Sequence, residues 1–193
     1  MKLLPLLTAC ALPFGTATAV DWNELNDGDL SDDGNAPTFI TFTEGINLIE
    51  GTMGSLGGVG PLDADVWTFT IAAGYYLTGI TLASYSAPTG PHDSFMAIDD
   101  ATTVNMSDPS LHLSNGLWND SPGSTLMEIL DAGPVYGGTG FDGYLGPGDY
   151  TFWVQEGSEE IQYGINFEVT AVPEPGSSLL LALAGLLLLR RKR

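Results

Sequence analysis

The sequence predicts an all-β protein, an antiparallel β-sandwich, in residues 20–171. Three observations predict this fold class. Apolar and polar residues alternate along several short stretches, which is the pattern of a strand with one buried face. Turns are frequent, because the chain contains 25 glycines and 12 prolines among 193 residues. No stretch of this region has the apolar stripe of a long amphipathic helix.

The alternation is clearest in residues 66–71, where Trp67, Phe69 and Ile71 share one face and threonines occupy the other. Apolar residues take the odd positions of residues 163–169 in the same way. The other strand candidates are residues 38–42, 46–52, 77–84, 94–98, 111–113, 125–130 and 148–155, of which 125–130 is alternatively a short helix. Eight or nine short strands with frequent turns favour an antiparallel β-sandwich.

The charge distribution excludes several classes of protein. The formal net charge is −19, yet residues 20–172 contain neither Lys nor Arg, and Glu174 is the only carboxylate outside them. Nucleic acids are excluded as partners, because binding them requires cations that displace phosphate counterions. The only cysteine, Cys10, lies in the leading apolar stretch, so the main domain is expected to lack disulfides and thiolate ligands.

Residues 1–19 have the features of a secretory signal peptide. Lys2 supplies a positive charge, residues 3–14 are mostly apolar, and Ala17 and Ala19 supply the small-x-small pattern that signal peptidase recognises. We therefore expect cleavage after Ala19. The alternative is acylation of Cys10, because the four residues ending there fit a lipobox, although the apolar run ahead of it is short.

Residues 172–193 form a second terminal segment with three parts in order. Pro173, Glu174 and Pro175 come first, an apolar stretch follows, and four cations end the chain. The apolar stretch carries Ser177, Leu179, Leu180, Leu181, Leu183, Leu186, Leu187, Leu188 and Leu189, and the cations are Arg190, Arg191, Lys192 and Arg193. As a helix the stretch would be about 20 Å long, shorter than the ~30 Å hydrocarbon core of a bilayer. The cations fit the cytoplasmic side of a membrane and argue against the alternative of a buried core helix.

This segment resembles the PEP-CTERM sorting signal of Gram-negative bacteria, with Pro173, Glu174 and Pro175 in the motif positions. The resemblance implies that a short transmembrane helix holds the exported protein transiently at the inner membrane. It also implies that an exosortase-type membrane protease then removes the tail and passes the protein to the cell surface or the extracellular matrix.

A second resemblance concerns the main domain. Residues 63–74, 145–154 and 163–167 look like parts of bacterial pre-peptidase C-terminal (PPC) domains, whereas residues 86–146 depart from that family. The resemblance implies a jelly-roll-like accessory module without catalytic activity. Asp63 and Asp65 match positions that help to hold calcium in some members.

Two acidic clusters are candidates for calcium binding. Asp29, Ser31 and Asp33 have the one-three-five spacing of a calcium loop. However, the twelfth position is Ile40 rather than the bidentate glutamate of an EF-hand. Alternation would also turn Asp63 and Asp65 to the same side of an extended chain, where a cation would relieve their repulsion. Solvated acidic loops remain the alternative reading of both clusters.

The remaining candidate groups favour no particular reaction. His112, between two leucines, is expected on the outer face of a strand, and Asp99 in an ordinary turn. The tripeptide that begins at His92 contains the three residue types of a hydrolase triad, but sequence neighbours rarely converge as that chemistry requires. Trp118, Trp153, Tyr75 and Tyr76 are candidates for exposed aromatic side chains, and an exposed indole would allow stacking on sugar rings. The alternative is that both faces of the strand that carries Trp153 are covered.

Together these features predict a secreted, non-catalytic protein of the bacterial envelope or extracellular polysaccharide matrix. The alternatives are a carbohydrate- or calcium-binding module and, less favoured, a secreted hydrolase. Acidity of this kind is also expected from a general adaptation to salt, which requires no bound ion.

Overall fold

Among the described residues, strands are the main regular structure. The computed structural model describes residues 22–55, 63–90, 92–119 and 121–172. The strands in these ranges are β1 (Trp22–Asn23), β2 (Thr38–Phe39), β3 (Gly45–Met53), β4 (Ala64–Ile71), β5 (Tyr75–Ser86), β6 (Ser94–Asp99), β7 (Ser114–Trp118), β8 (Gly148–Gln155) and β9 (Ile161–Ala171). The helices are α1 (Glu24–Asp27), α2 (Leu126–Asp131) and a 3₁₀ turn (Pro109–Leu111). The predicted all-β class is therefore confirmed.

The strands form two sheets, neither of which is closed. One has the order β1-β3-β9-β5 and the other the order β2-β4-β8-β6-β7. Both are mixed, because β1 runs parallel to β3 and β2 runs parallel to β4, while the other pairs are antiparallel. The expectation of a purely antiparallel arrangement is thus wrong at one edge of each sheet. Two-residue strands are too short for an alternation pattern to reveal their direction.

The two sheets share one hydrophobic core, as the layers of a sandwich do. Phe167 of β9 meets Trp67 and Phe152 of the other sheet edge to face, with ring centroids 5.9 and 5.2 Å apart. All three side chains are fully buried. These residues occupy the apolar positions that the alternation predicts, so the core follows directly from the period of two.

A smaller apolar cluster covers the outer face of the five-stranded sheet. Here Trp153 packs with Val66 and with Val104 from the connection that follows β6. The backbone N–H of Val104 donates to the carbonyl of Gly34 at 2.9 Å and joins this connection to the loop that precedes β2. Trp153 and Trp118 are only 3% and 2% exposed. The expectation of exposed indoles is therefore wrong for both tryptophans.

The chain between β6 and β7 also differs from its prediction. Residues 111–113 do not form a strand, because Pro109 starts a 3₁₀ turn that the Asp108 side chain caps by accepting from Ser110 N–H at 3.0 Å. Strand β7 begins only at Ser114, and residues 125–130 take the helical alternative as α2. The strands β1 and β7 and the helix α1 were not predicted.

Both predicted terminal segments lie outside the described residues, except for Val172. Within the described ranges, no helix is long and apolar enough to span a bilayer.

We expect Phe167→Ala to lower the free energy of unfolding by about 3–5 kcal/mol, because it opens a cavity in the shared core. Phe39→Ala is the matched control, since Phe39 is 62% exposed, and should change it by only about 0.5 kcal/mol. Urea denaturation followed by tryptophan fluorescence measures both. Equal losses in the two variants would contradict the assignment of Phe167 to the core.

Candidate metal centre

Five carboxylates gather near the start of β4, where Gly54 and Asp63 exchange backbone hydrogen bonds of 2.7 and 3.2 Å. They are Glu24, Asp29, Asp32, Asp63 and Asp65, which we call the acidic site. Oxygens of Glu24, Asp29 and Asp65, one from each residue, lie within 4.8 Å of one another. The same holds for Asp29, Asp32 and Asp63. Asp29 therefore belongs to both groups and joins them.

The leading segment reaches this site through two short contacts with the sheets. Strand β1 pairs with β3, so that Asn23 lies beside Glu50, and the Asn23 side chain caps α1 by accepting from Leu25 N–H at 3.0 Å. Further along, the N–H of Val66 donates to the carbonyl of Ser31 at 2.9 Å. These contacts bring three acids of the leading segment to the start of β4.

Glu24 is held firmly by backbone donors. One carboxylate oxygen accepts from Leu30 N–H at 3.0 Å, and the other accepts from Thr52 N–H at 2.7 Å. Gly51 makes room for this arrangement, because a Cβ there would lie 2.8 Å from the hydroxyl of Tyr163 and 2.9 Å from the carboxyl carbon of Glu24. The site thus depends on a residue without a side chain in the middle of β3.

Asp65 is the most unusual member of the acidic site. Its side chain is fully buried, at a position of β4 in phase with Trp67 and Phe69 of the core. Its Oδ2 atom accepts from the hydroxyl of Tyr163 at 2.7 Å, whereas its buried Oδ1 atom has no hydrogen-bond partner. A buried acceptor without a partner costs about 1–3 kcal/mol. A proton or a cation at this position would relieve that cost.

The pKa values of three carboxyls of the acidic site, those of Glu24, Asp63 and Asp65, are raised. Burial, reinforced by the charge of Glu24, raises the pKa of Asp65 to about 9. Burial and the charges of Asp29 and Asp32 raise the pKa of Asp63 to about 6, and burial also raises the pKa of Glu24. Without a cation, Asp65 therefore holds a proton at pH 7, since no Lys or Arg occurs in residues 20–172 to offset the charge.

The arrangement is suited to a hard cation. Carboxylate oxygens are the ligands that Ca²⁺ prefers, in sites of six to eight oxygens with irregular geometry. The acidic site provides oxygens from five residues, and one of these oxygens, Oδ1 of Asp65, is buried and has no hydrogen-bond partner. Among the described residues, no histidine or cysteine belongs to the two groups.

The structure brings together three of the four predicted calcium ligands, Asp29, Asp63 and Asp65. Asp33 turns elsewhere, because its Oδ1 atom accepts from the backbone and side-chain nitrogens of Asn35 at 2.9 and 3.1 Å. The one-three-five spacing is therefore a local turn rather than a ligand set.

Sequence reasoning missed Glu24 and Asp32 as members of the site. Asp32 belongs to an acidic run in which no spacing distinguishes it from its neighbours. Glu24 stands far along the chain from Asp65, and the pairing of β1 with β3, together with the hydrogen bond from Thr52 N–H to Glu24, brings it there.

His112 is fully buried and does not lie on the outer face of a strand. Its Nδ1 atom lies 2.9 Å from a carboxylate oxygen of Asp99, and the other oxygen of Asp99 accepts from Leu113 N–H at 2.8 Å. Asp99 is thus a structural partner of His112 rather than part of an ordinary turn. The 3₁₀ turn just before His112 breaks the alternation on which the expectation depended.

The residues of the suspected hydrolase triad do not converge. The hydroxyl of Ser94 donates to Glu156 at 2.9 Å, while the ring of His92 contacts Glu159 and lies 3.1 Å from the hydroxyl of Ser158. The hydroxyl and the backbone N–H of Ser158 both donate to Glu156. This arrangement therefore leaves neither an activated serine nor a free oxyanion donor at Ser158.

We expect the metal-free protein to lose stability as the pH rises from about 4 to 9. The folded-state pKa of Asp65 is about 9 and its unfolded value is about 3.9, so the folded state binds more protons over this range and the free energy of unfolding falls. Asp65→Asn should make the free energy of unfolding nearly constant above about pH 6. Below that pH, the raised pKa of Asp63, about 6, still contributes to the decline.

Urea denaturation in a chelator at several pH values measures this dependence. Asp33→Asn is the control and should decline as the unsubstituted protein does. A decline above pH 6 that is equally steep in Asp65→Asn would contradict the assignment.

Comparisons with known proteins identify no relative of this chain. No family model, curated protein or solved structure matches the chain. The resemblances to the PEP-CTERM signal and to PPC domains therefore remain predictions from the sequence, and the chemistry of the site follows from its own geometry.

Proposed function

We propose that this protein is a non-catalytic calcium-binding module of the bacterial envelope. One observation carries the proposal: the buried, unpaired Oδ1 atom of Asp65 belongs to a side chain whose carboxylate lies within 4.8 Å of those of Glu24 and Asp29. A cation there would pair this atom and offset the repulsion among the carboxylates. The finer expectation of a jelly-roll-like fold accompanies this proposal.

Calcium fits the site better than other metals. Zinc favours histidine and cysteine ligands, which the acidic site does not offer among the described residues. Magnesium requires near-ideal octahedral geometry and keeps much of its water, whereas calcium accepts irregular sets of oxygens. Carboxylates from a loop, a helix and a strand form such an irregular set.

Bound calcium would act mainly on stability. It would join Glu24 and Asp29 of the leading segment to Asp65 of β4, which are connected in the polypeptide only through a long stretch of chain. A ligand that binds only the folded state stabilises it by mass action, by about 2.7 kcal/mol at a concentration of 100 times its Kd.

Calcium should raise the melting temperature of the full-length chain by several degrees relative to a chelator. Asp29→Asn should abolish most of the increase, because Asp29 belongs to both groups of the acidic site. Asp33→Asn is the matched control, an exposed aspartate four residues away, and should retain it. Differential scanning calorimetry at pH 7.5 measures all three proteins.

An unchanged melting temperature of the unsubstituted protein at millimolar calcium would refute calcium binding. Loss of the increase in Asp33→Asn but not in Asp29→Asn would contradict the acidic site, because the ion would then depend on Asp33 and not on Asp29.

We further propose that the protein is exported by the general secretory route and sorted through residues 172–193. The position of the motif supports this. Strand β9 ends at Ala171, and Val172 is tied to the domain by its N–H, which donates to the carbonyl of Gly74 at 2.8 Å. By its position in the sequence, the motif follows the last strand, so cleavage there would leave all the described strands in the product.

An exported protein processed at both ends should begin after Ala19 and lack the cationic tail. Glu174→Ala should block the second cleavage, so that the intact tail remains with the inner membrane. Glu168→Ala, at an exposed position of β9, is the control and should be processed normally. Intact-mass spectrometry of membrane and extracellular fractions measures the outcome, and recovery of an uncleaved protein from the cytoplasm would contradict export.

A further inference from the structure

A groove of about 590 Å³ lies next to the acidic site and has Glu24 and Asp29 in its wall. The other polar side chains in its wall include Asn23, Glu50, Ser84, Ser86 and Gln162. The volume lies within the ~300–1,000 Å³ typical of ligand sites.

The groove is built by two rows of residues that cross the four-stranded sheet. In one row Glu50 of β3 pairs with Gly164 of β9, which pairs with Ser84 of β5. In the other row Gln162 pairs with Ser86. Directly paired residues point to the same face of a sheet, as do residues two positions apart. These side chains therefore share one face, and it is the outer face, because the intervening Tyr163 faces the core.

Gly164 makes room for the side chain of Ser84. A Cβ at this position would lie 2.6 Å from the hydroxyl oxygen of Ser84 and 3.6 Å from a side-chain carbon of Glu50. A glycine in the interior of a long strand otherwise weakens the strand. Gly164 is itself buried, and the absence of a side chain there lets Ser84 and Glu50 approach each other on the outer face.

The chemistry of the groove selects its ligand. Amide side chains both donate and accept hydrogen bonds, hydroxyls do the same, and a carboxylate accepts. This combination matches sugar hydroxyls, each of which is also both donor and acceptor. Anionic ligands would lack a counter-charge, because Lys and Arg are absent from residues 20–172 and the groove itself carries Glu24, Asp29 and Glu50.

We propose that this groove binds a segment of an uncharged polysaccharide. Gln162 and Glu50 would hydrogen-bond its hydroxyls. The amide of Asn23, which donates to Glu50 at 2.7 Å, would hold that carboxylate in place. Calcium should strengthen polysaccharide binding, because Glu24 and Asp29 line the groove and a bound ion would fix their positions. This part of the proposal rests on the proposed function.

Affinity electrophoresis of the full-length chain tests the proposal. The gels contain dextran, mannan, galactan or cellulose derivatives without charge, with dextran sulfate as an anionic counterpart. We expect at least one neutral polymer to retard the protein and dextran sulfate not to. Gln162→Ala should weaken binding about five- to tenfold, as loss of a hydrogen bond predicts.

Asn166→Ala is the matched control. It removes the same type of side chain, from the same face of β9, at a position outside the groove lining, and it should change binding less than twofold. Unchanged melting temperatures of both variants exclude misfolding as the cause.

Failure to bind any neutral polymer, equal effects of the two variants, or tighter binding of an oligolysine peptide than of every neutral polymer would overturn the proposal. Calorimetric titration with calcium alone distinguishes failure of the groove proposal from failure of the proposed calcium binding. If calcium binds but no polysaccharide does, only the proposal of a polysaccharide-binding groove is refuted. Polysaccharide binding that survives chelation and is lost in Gln162→Ala upholds the groove without the ion.

Discussion

The buried carboxylate of Asp65 is the constraint on which the rest of the acidic site depends. It occupies a position of β4 in phase with Trp67 and Phe69, where an ionised group is costly unless something pairs with it. The hydroxyl of Tyr163 satisfies one oxygen and leaves the other unpaired. Because no Lys or Arg occurs in residues 20–172, the compensating positive charge must come from a proton or from a bound cation.

This requirement links the acidic site to the attachment of the leading segment. Glu24 bonds to Leu30 and to Thr52, so the same carboxylate that faces Asp65 also fastens the leading segment to β3. The pairing of β1 covers only two residues, which is too little to hold a strand alone. Stability of this edge and occupation of the acidic site are therefore expected to change together.

The groove and the acidic site lie side by side because Glu24 and Asp29 belong to both. Their shared negative charge narrows the partners to cations and uncharged molecules. A neutral polysaccharide agrees with the extracellular setting that the terminal segments predict. The burial of Trp118 and Trp153 means that hydrogen bonds in the groove, rather than stacking on these two indoles, would have to supply the affinity.

Sequence by itself determined the strands with clear alternation and the asymmetry of charge. Strand β8 was predicted at its observed bounds, and β4 and β9 to within two residues at each end, because regular apolar alternation is a local signal of one buried face. Only the tertiary structure decided that Asp29 joins Asp63 and Asp65, that Asp33 does not, and that Glu24 completes the set. Spacing along a loop does not specify where its side chains point, since contacts between distant segments arise from strand pairing and turn geometry that no local pattern records.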